Sequence, residues 1–272
     1  MQERKCAIGV MAKAPRAGKS KTRLCPPLHP EQAASLSAAF LRDITENLAL
    51  AGRLAPIDGL IAYAPKGYEA LFDGIIAQGT GLLLADGTGD MPDSVQGFGR
   101  CLLHAMRDMQ ELGYGAMGVL NSDSPTLPTE YLIRAAHTLL APGPQRVVLG
   151  PAEDGGYYFL GATQPHAHLF ADIAWSTESV ADATRKRVAE LGLELIELPT
   201  WYDVDDRTAL GRLLDEAGQK GAHYPAHASA AALVAMGISH RHCEPSAAPP
   251  DSFGASAGMR GFARNDDTLA AE

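Results

Sequence analysis

MAKAPRAGKSKTRL, residues Met11 to Leu24, lies between an apolar run at Cys6 to Val10 and a long helical pattern. A strand comes first, then a loop with Pro15 and Gly18 among Lys13, Arg16, Lys19, Lys21 and Arg23, then a helix. In that order backbone N–H groups and cations converge on an anion. The stretch predicts a phosphate-binding loop at the C-terminal end of a buried strand, where open α/β sheets take their ligands.

The neighbouring sequence agrees with such a sheet. Ala33, Leu36, Phe40, Ile44 and Leu48 recur at helical spacing between Pro30 and Ala51, and Gly59 to Ala64 reads as a second strand. A short helix at Tyr68 to Phe72, a strand at Gly81 to Ala85 and a Gly/Asp-rich connection from Asp86 to Asp93 follow. Ser94 is placed to cap a helix running to Leu112, and the strand Gly115 to Leu120 delivers Asn121 to Pro125 at its end. Beyond it lie a helix at Pro128 to Leu140, strands at Arg146 to Gly150 and Tyr157 to Leu160, and a helix at Thr177 to Leu191 capped by Ser176 or Thr177. A strand at Glu194 to Leu198 and a helix at Asp206 to Ala217 close the pattern. Alternating strands and helices predict a mostly parallel sheet in one α/β domain over residues 1–220. Residues 221–238 are Ala-rich and predict one appended helix; residues 239–272, rich in Pro, Ser, Ala and Gly, predict a disordered tail.

Composition narrows the function. A chain of 272 residues with 46% hydrophobic and 20% charged residues has an ordinary globular make-up. Its net charge of −9 argues against a nucleic-acid partner and for a small phosphorylated ligand held by local cations. The four cysteines form no CxxC pair, so neither a disulfide framework nor a zinc knuckle is indicated and a reducing cytoplasm is expected. Neither a signal segment nor a membrane span is expected. His240, His242 and Cys243 lack paired metal-ligand spacing.

KAPRAGKS ends like a Walker A loop, but Lys13 stands where the first glycine would make the tight turn. The longer APRAGKSKTRL resembles instead the N-terminal signature of the nucleotide-diphospho-sugar transferase (GT-A) superfamily, and within it the DUF2064 family, associated with radical-SAM and arsenosugar or selenium genes. It is more distantly similar to phospholactate guanylyltransferases, which carry a comparable K-[ST]-R-L segment. The resemblance implies a Rossmann-related three-layer α/β/α sandwich in which Ala12, Lys13, Gly18, Lys19, Lys21 and Arg23 hold the nucleotide and its phosphates.

NSDSPTLP, Asn121 to Pro128, is similar to the family's D-[CS]-P-x-L-P, which implies Asp123 as a DxD-type metal ligand. The need is electrostatic: a carboxylate facing a phosphate at 4 Å costs about 4 kcal/mol at an effective dielectric of 20. Mg²⁺ takes one or two protein carboxylates plus substrate phosphates, and reverses that sign. GPAEDGGYYFLGA, Gly150 to Ala162, is the most family-specific stretch. It suggests acceptor contact at Glu153, Asp154, Gly155 and Gly156, with Asp154 as the proton acceptor. WSTESV at Trp175 to Val180 and WYDVDD at Trp201 to Asp206 complete the pattern. The second departs from D-[VI]-D-T-P-x-D-L after Asp205, so Asp205 is the second expected metal ligand with Asp203 in reserve. Where the family has G-D-L-G-E-R-M this chain has GDMPDSV, Gly89 to Val95, without the arginine. Each stretch also has a plainer reading: solvated loop, Asx turn before Pro125, hairpin turn, helix N-terminus.

The expectation is a transferase that uses Mg²⁺ or Mn²⁺, a nucleotide or nucleotide-sugar donor and a small-molecule acceptor. Glycosyl transfer is favoured. Nucleotidyl transfer with release of pyrophosphate and a non-catalytic nucleotide-binding domain are the alternatives.

Overall fold

The apolar run after Lys5 is buried along its whole length and becomes β1, Cys6–Ala12, in a computed structural model that describes residues 4–243. β1 pairs in parallel with β2, Ile57–Tyr63, and with β4, Ala116–Leu120, while β3, Gly81–Leu84, adds to the outer side of β2. On the other flank β6, Tyr157–Ala162, runs antiparallel to β4 and to β5, Arg146–Pro151, and β7, Glu194–Glu197, returns parallel to β5. The seven-stranded order is β3-β2-β1-β4-β6-β5-β7, with every strand but β6 pointing one way. The short β5–β6 connection forces that exception, because a parallel return needs a crossover of a dozen or more residues.

Side chains alternate along β1, so it feeds two cores. Cys6, Ile8 and Val10 meet α1, Pro30–Ala51, α3, Thr129–Leu140, and α5, Arg207–Glu216. Ala7 and Met11 meet α2, Phe98–Glu111, and α4, Val180–Glu190. The result is a three-layer α/β/α sandwich. Leu102, Leu103, Met106 and Met109 of α2 are almost wholly buried, worth about 1.5–3 kcal/mol each against exposure. Gly9 lets α2 come close: a Cβ there would lie 2.3 Å from Met109 Cε.

The helix expected over Pro30 to Ala51 forms with those bounds, and a 3-10 turn at Thr22–Leu24 separates it from the basic loop. Pro26 and Pro27 cannot donate helical hydrogen bonds, which keeps the helix from starting earlier. Two other expected helix starts shift. Ser94 caps nothing. Its carbonyl accepts from Asp172 N at 2.8 Å, and α2 starts later, after Gly97. α4 likewise starts after Ser179, with Thr177 Oγ1 turned back to Ala174 O at 2.7 Å.

Beyond α5, α6 at His227–Ala235 packs on α1, where buried Asp43 accepts from Ala228 N at 2.8 Å and Ser229 N at 2.7 Å. The expected disordered tail lies outside the described residues from Glu244 onward; its first residues, His240–Cys243, form a short helix, α7, against α5. Among the described residues no helix is long and apolar enough to cross a membrane. The C-terminal ends of β1, β4, β5 and β7 and the start of β6 share one edge of the sheet, and the predicted motifs gather there.

Candidate functional site

Lys21 organises this edge. Its φ of 49° places it in the left-handed region, and its side chain, 3% exposed, turns inward over the Phe40 ring at 5.2 Å. There Nζ lies 2.6 Å from Asp123 Oδ1 and 2.9 Å from Asp205 Oδ1, and donates to Val204 O at 2.8 Å. The two acids therefore stand no further apart than two hydrogen bonds laid end to end. Lys21 was expected on phosphate; it is instead the counter-ion of the carboxylates, because burial leaves an ammonium no other favourable partner.

Hydroxyls and backbone lace the two acid-bearing segments together. Val204 N donates to Asp123 O at 2.8 Å, Ser124 Oγ to Tyr202 O at 2.9 Å, and Thr126 Oγ1 to Tyr202 Oη at 2.9 Å. Asn47 of α1 braces the far end, donating to Leu127 O at 2.7 Å and accepting from Thr129 Oγ1 at 2.6 Å. Ser and Thr after Asp123 thus hold the loop to its neighbours, and Pro125 is the second residue of the turn that Leu127 N closes onto Ser124 O at 3.2 Å.

A cleft of about 170 Å³ opens over this pair. Lys13, Lys19, Asp123, Asp154, Gly156, Asp203 and Asp205 all line it, so four separate stretches of chain converge. Asp154 Oδ1 accepts from Gly156 N at 2.8 Å, the Asx turn that aims the turn's backbone. Other expected residues do not line it. Ala12 is buried in β1, Gly18 sits at φ +73° in an exposed turn closed by Lys19 N to Arg16 O at 3.1 Å, and Arg23 belongs to the 3-10 turn. Glu153 pairs with Arg212 at 2.8 Å, and Gly155 packs against the segment before α4: a Cβ there would lie 2.0 Å from Glu178 O. Those four and Gly155 support the site without facing it.

The electrostatics follow from this crowding. Burial opposes charge on Lys21, but the two carboxylates outweigh it and hold its pKa above the usual lysine range. For Asp205 burial is likewise outweighed, by the charge and hydrogen bond of Lys21, and its pKa is lowered. Asp203 has no such partner. Burial, then the charges of Asp205, Asp154 and Asp123, push it up to about 8, so it carries a proton at neutral pH and donates to Asp205.

Among the described residues no three His, Cys, Asp or Glu side chains are placed as a ready metal cage. Asp123 and Asp205 each offer Lys21 one oxygen, which leaves two carboxylates facing a cleft that Lys13 and Lys19 also line. That donor set fits a hard divalent ion arriving with a nucleotide, which needs only one or two protein carboxylates. His240 is paired with Asp215 at 3.2 Å and belongs to no such group.

Sequence reasoning missed part of the lining. Phe98 and Trp175 wall the cleft at 5.8 Å edge to face, and Ser20, Asn121, Ser122 and Ser176 line it. The WST of Trp175 to Thr177 was the available signal. Tyr157 also lines the cleft, whereas Tyr158 is core and donates to Pro199 O at 2.9 Å.

Residues 47–177 match the model of DUF2064, described as an uncharacterized protein conserved in bacteria. No curated protein matches the chain in sequence. Among solved structures, a protein of Desulfovibrio desulfuricans G20 provisionally named a nucleotide-diphospho-sugar transferase is 25% identical, with a TM-score of 0.70 over 86% of this chain and 95% of that one. A cytidylyltransferase of Leptospira borgpetersenii shares the fold at 10% identity and a TM-score of 0.51, over 86% of this chain and 96% of its own. Glucosyl-3-phosphoglycerate synthase of Mycobacterium tuberculosis, in complex with Mn²⁺, uridine diphosphate and glucosyl-3-phosphoglycerate, aligns at 10% identity and a TM-score of 0.47, over 78% of this chain and 79% of that one.

Proposed function

We propose that this chain, with its DUF2064 segment at residues 47–177, is a metal-dependent transferase that moves a glycosyl group from a nucleotide-diphospho-sugar to a small acceptor. The observation that carries the reading is the meeting of Asp123 and Asp205 on Lys21, beside Lys13 and Lys19 at the end of β1. The name of the Desulfovibrio neighbour supports the same reaction class.

Asp123 and Asp205 would hold Mg²⁺ or Mn²⁺, which when bound neutralises the donor's phosphates. Lys13 and Lys19 would bind the same phosphates, and Lys21 would keep the two carboxylates in register. Asp154 would accept the proton of the acceptor hydroxyl as its oxygen forms the bond to the anomeric carbon. The bond from that carbon to the phosphate oxygen breaks, its electron pair leaves with the nucleoside diphosphate, and Asp154 returns its proton to solvent. Most of the rate enhancement in such a site comes from alignment and charge neutralisation.

The test is product release from a panel of nucleotide-sugars and nucleoside triphosphates with Mg²⁺ or Mn²⁺. Release of UDP or GDP from a nucleotide-sugar is expected, with Asp123→Asn slower by about 100-fold or more. Pyrophosphate released from a triphosphate would replace this reading with nucleotidyl transfer, and binding without turnover that survives Asp123→Ala would replace it with a non-catalytic domain.

A further inference from the structure

The cleft is polarised along the sheet edge. Lys13 and Lys19 stand at the β1 end, whereas from β4 to β7 the acidic side chains on the lining are Asp123, Asp154 and Asp205 together with the protonated Asp203. Lys21, the ammonium that reaches this half, is held between Asp123 and Asp205. Apart from it, no lysine, arginine or histidine among the described residues lines the β4-to-β7 half.

The same half has an aromatic wall that is already built. Trp175 stands edge-on to Phe98 at 5.8 Å, and Gly99 lies flush beneath the indole, where a Cβ would come 2.9 Å from Trp175 Cζ2. The segment carrying Trp175 is fastened to the Asp154–Gly156 turn, with Ala181 N donating to Gly155 O at 3.0 Å. Tyr157 adds a third ring to the lining. Carboxylates next to aromatic faces suit a polyhydroxy ring: its hydroxyls donate charge-assisted hydrogen bonds to the acids while its C–H face packs on the rings. A phosphate or carboxylate on the same acceptor would face the Asp154 carboxylate, and the ammonium on that part of the lining, Lys21, is already engaged by Asp123 and Asp205.

We infer that the acceptor is a polyhydroxy ring compound bearing no anionic group, bound between the Trp175–Phe98 wall and Asp154, and that phosphorylated acceptors are excluded. This rests on the proposed donor site and adds the acceptor's chemical class. It also removes the acceptor half as a seat for the phosphorylated substrate that nucleotidyl transfer would need.

Trp175 is one of two tryptophans, so Trp201→Phe, outside the cleft, makes it the sole indole reporter. The emission of Trp175 is titrated in the presence of Mn²⁺ with UDP or GDP, using pairs that differ by one phosphate: methyl glucoside and its 6-phosphate, myo-inositol and its 1-phosphate. The same pairs are run by thermal shift on the wild-type chain, in case the variant folds poorly. The expected result is that the unphosphorylated member quenches Trp175 and raises the melting temperature at least ~10-fold lower in concentration than its phosphate ester. In Asp154→Lys the preference narrows or reverses. Equal responses, a preference for the phosphate ester, or no response to any unphosphorylated ring overturns the inference. Stabilisation by UDP or GDP alone is read separately: its absence counts against the donor site, and its presence with a preference for phosphate esters counts against the acceptor class only.

Discussion

One ammonium holding two carboxylates makes Lys21 the most consequential single side chain at the cleft, since Asp123 and Asp205 face each other without it. Lys21→Met removes the charge and keeps most of the volume. Breaking a buried pair costs about 3–5 kcal/mol, and the lower end applies because each carboxylate keeps about a third of its surface in water. The urea midpoint should fall accordingly, and millimolar Mg²⁺ should recover more of the loss in the variant than it adds to the wild type. An unchanged midpoint would mean that the lysine does not hold the acids. Lys21 was legible in sequence as a cation in a basic loop, but not as a clamp, because its partner Asp205 lies 184 residues further along the chain. Nor does local spacing announce a left-handed lysine, a conformation more often left to glycine or asparagine.

Elements fix where these side chains can go, and two of their junctions carry predictions. Gly155, at φ +86°, sits where a Cβ would strike the Glu178 carbonyl at 2.0 Å, so Gly155→Ala must push the Trp175-bearing segment off the Asp154 turn. Strain plus overpacking should cost about 2–3 kcal/mol and change the near-UV circular dichroism of Trp175. Gly18→Ala, also at positive φ but in open space, should cost only about 1–2 kcal/mol. The second junction is Asp43 beneath α6. Burial raises its pKa more than the Ser229 and Ala228 hydrogen bonds lower it. The folded state therefore holds more protons than the unfolded one above the unfolded value of about 4, so stability falls as pH rises through that window and levels off above the folded pKa. Urea midpoints in Asp43→Asn should lack that slope, while Asp43→Ala, which orphans two α6 N–H groups, should lose about 2–3 kcal/mol at every pH. Strands buried on both faces announced themselves as apolar runs, and Pro30 marked the start of α1. Ser94, Ser176 and Thr177 misled as caps because the Ser94 carbonyl and the Thr177 hydroxyl make loop contacts and Ser176 lines the cleft, uses that propensity cannot distinguish from capping.

At the scale of the whole molecule the difficulty is charge. On the proposed reading, a chain of net charge −9 holds a polyphosphate beside Asp123, Asp154, Asp205 and the protonated Asp203, with Lys13 and Lys19 as the cations on the near side of the cleft. Two lysines cannot offset a nucleoside diphosphate and the acids together, so nucleotide affinity should depend on a divalent ion rather than merely improve with it. At a nucleotide concentration about 100 times its Kd, linkage supplies about 2.7 kcal/mol of stabilisation. For a domain of this size that is a rise of about 5–10 °C in melting temperature. The rise should appear with UDP or GDP plus Mn²⁺, vanish in EDTA, and be lost in Asp123→Asn and Asp205→Asn even with Mn²⁺ present. Lys19→Ala should weaken it without removing the metal requirement, because the carboxylates that create that requirement remain. A shift of equal size in EDTA would show that the lysines and backbone suffice, and Asp123 and Asp205 would then be structural acids serving Lys21.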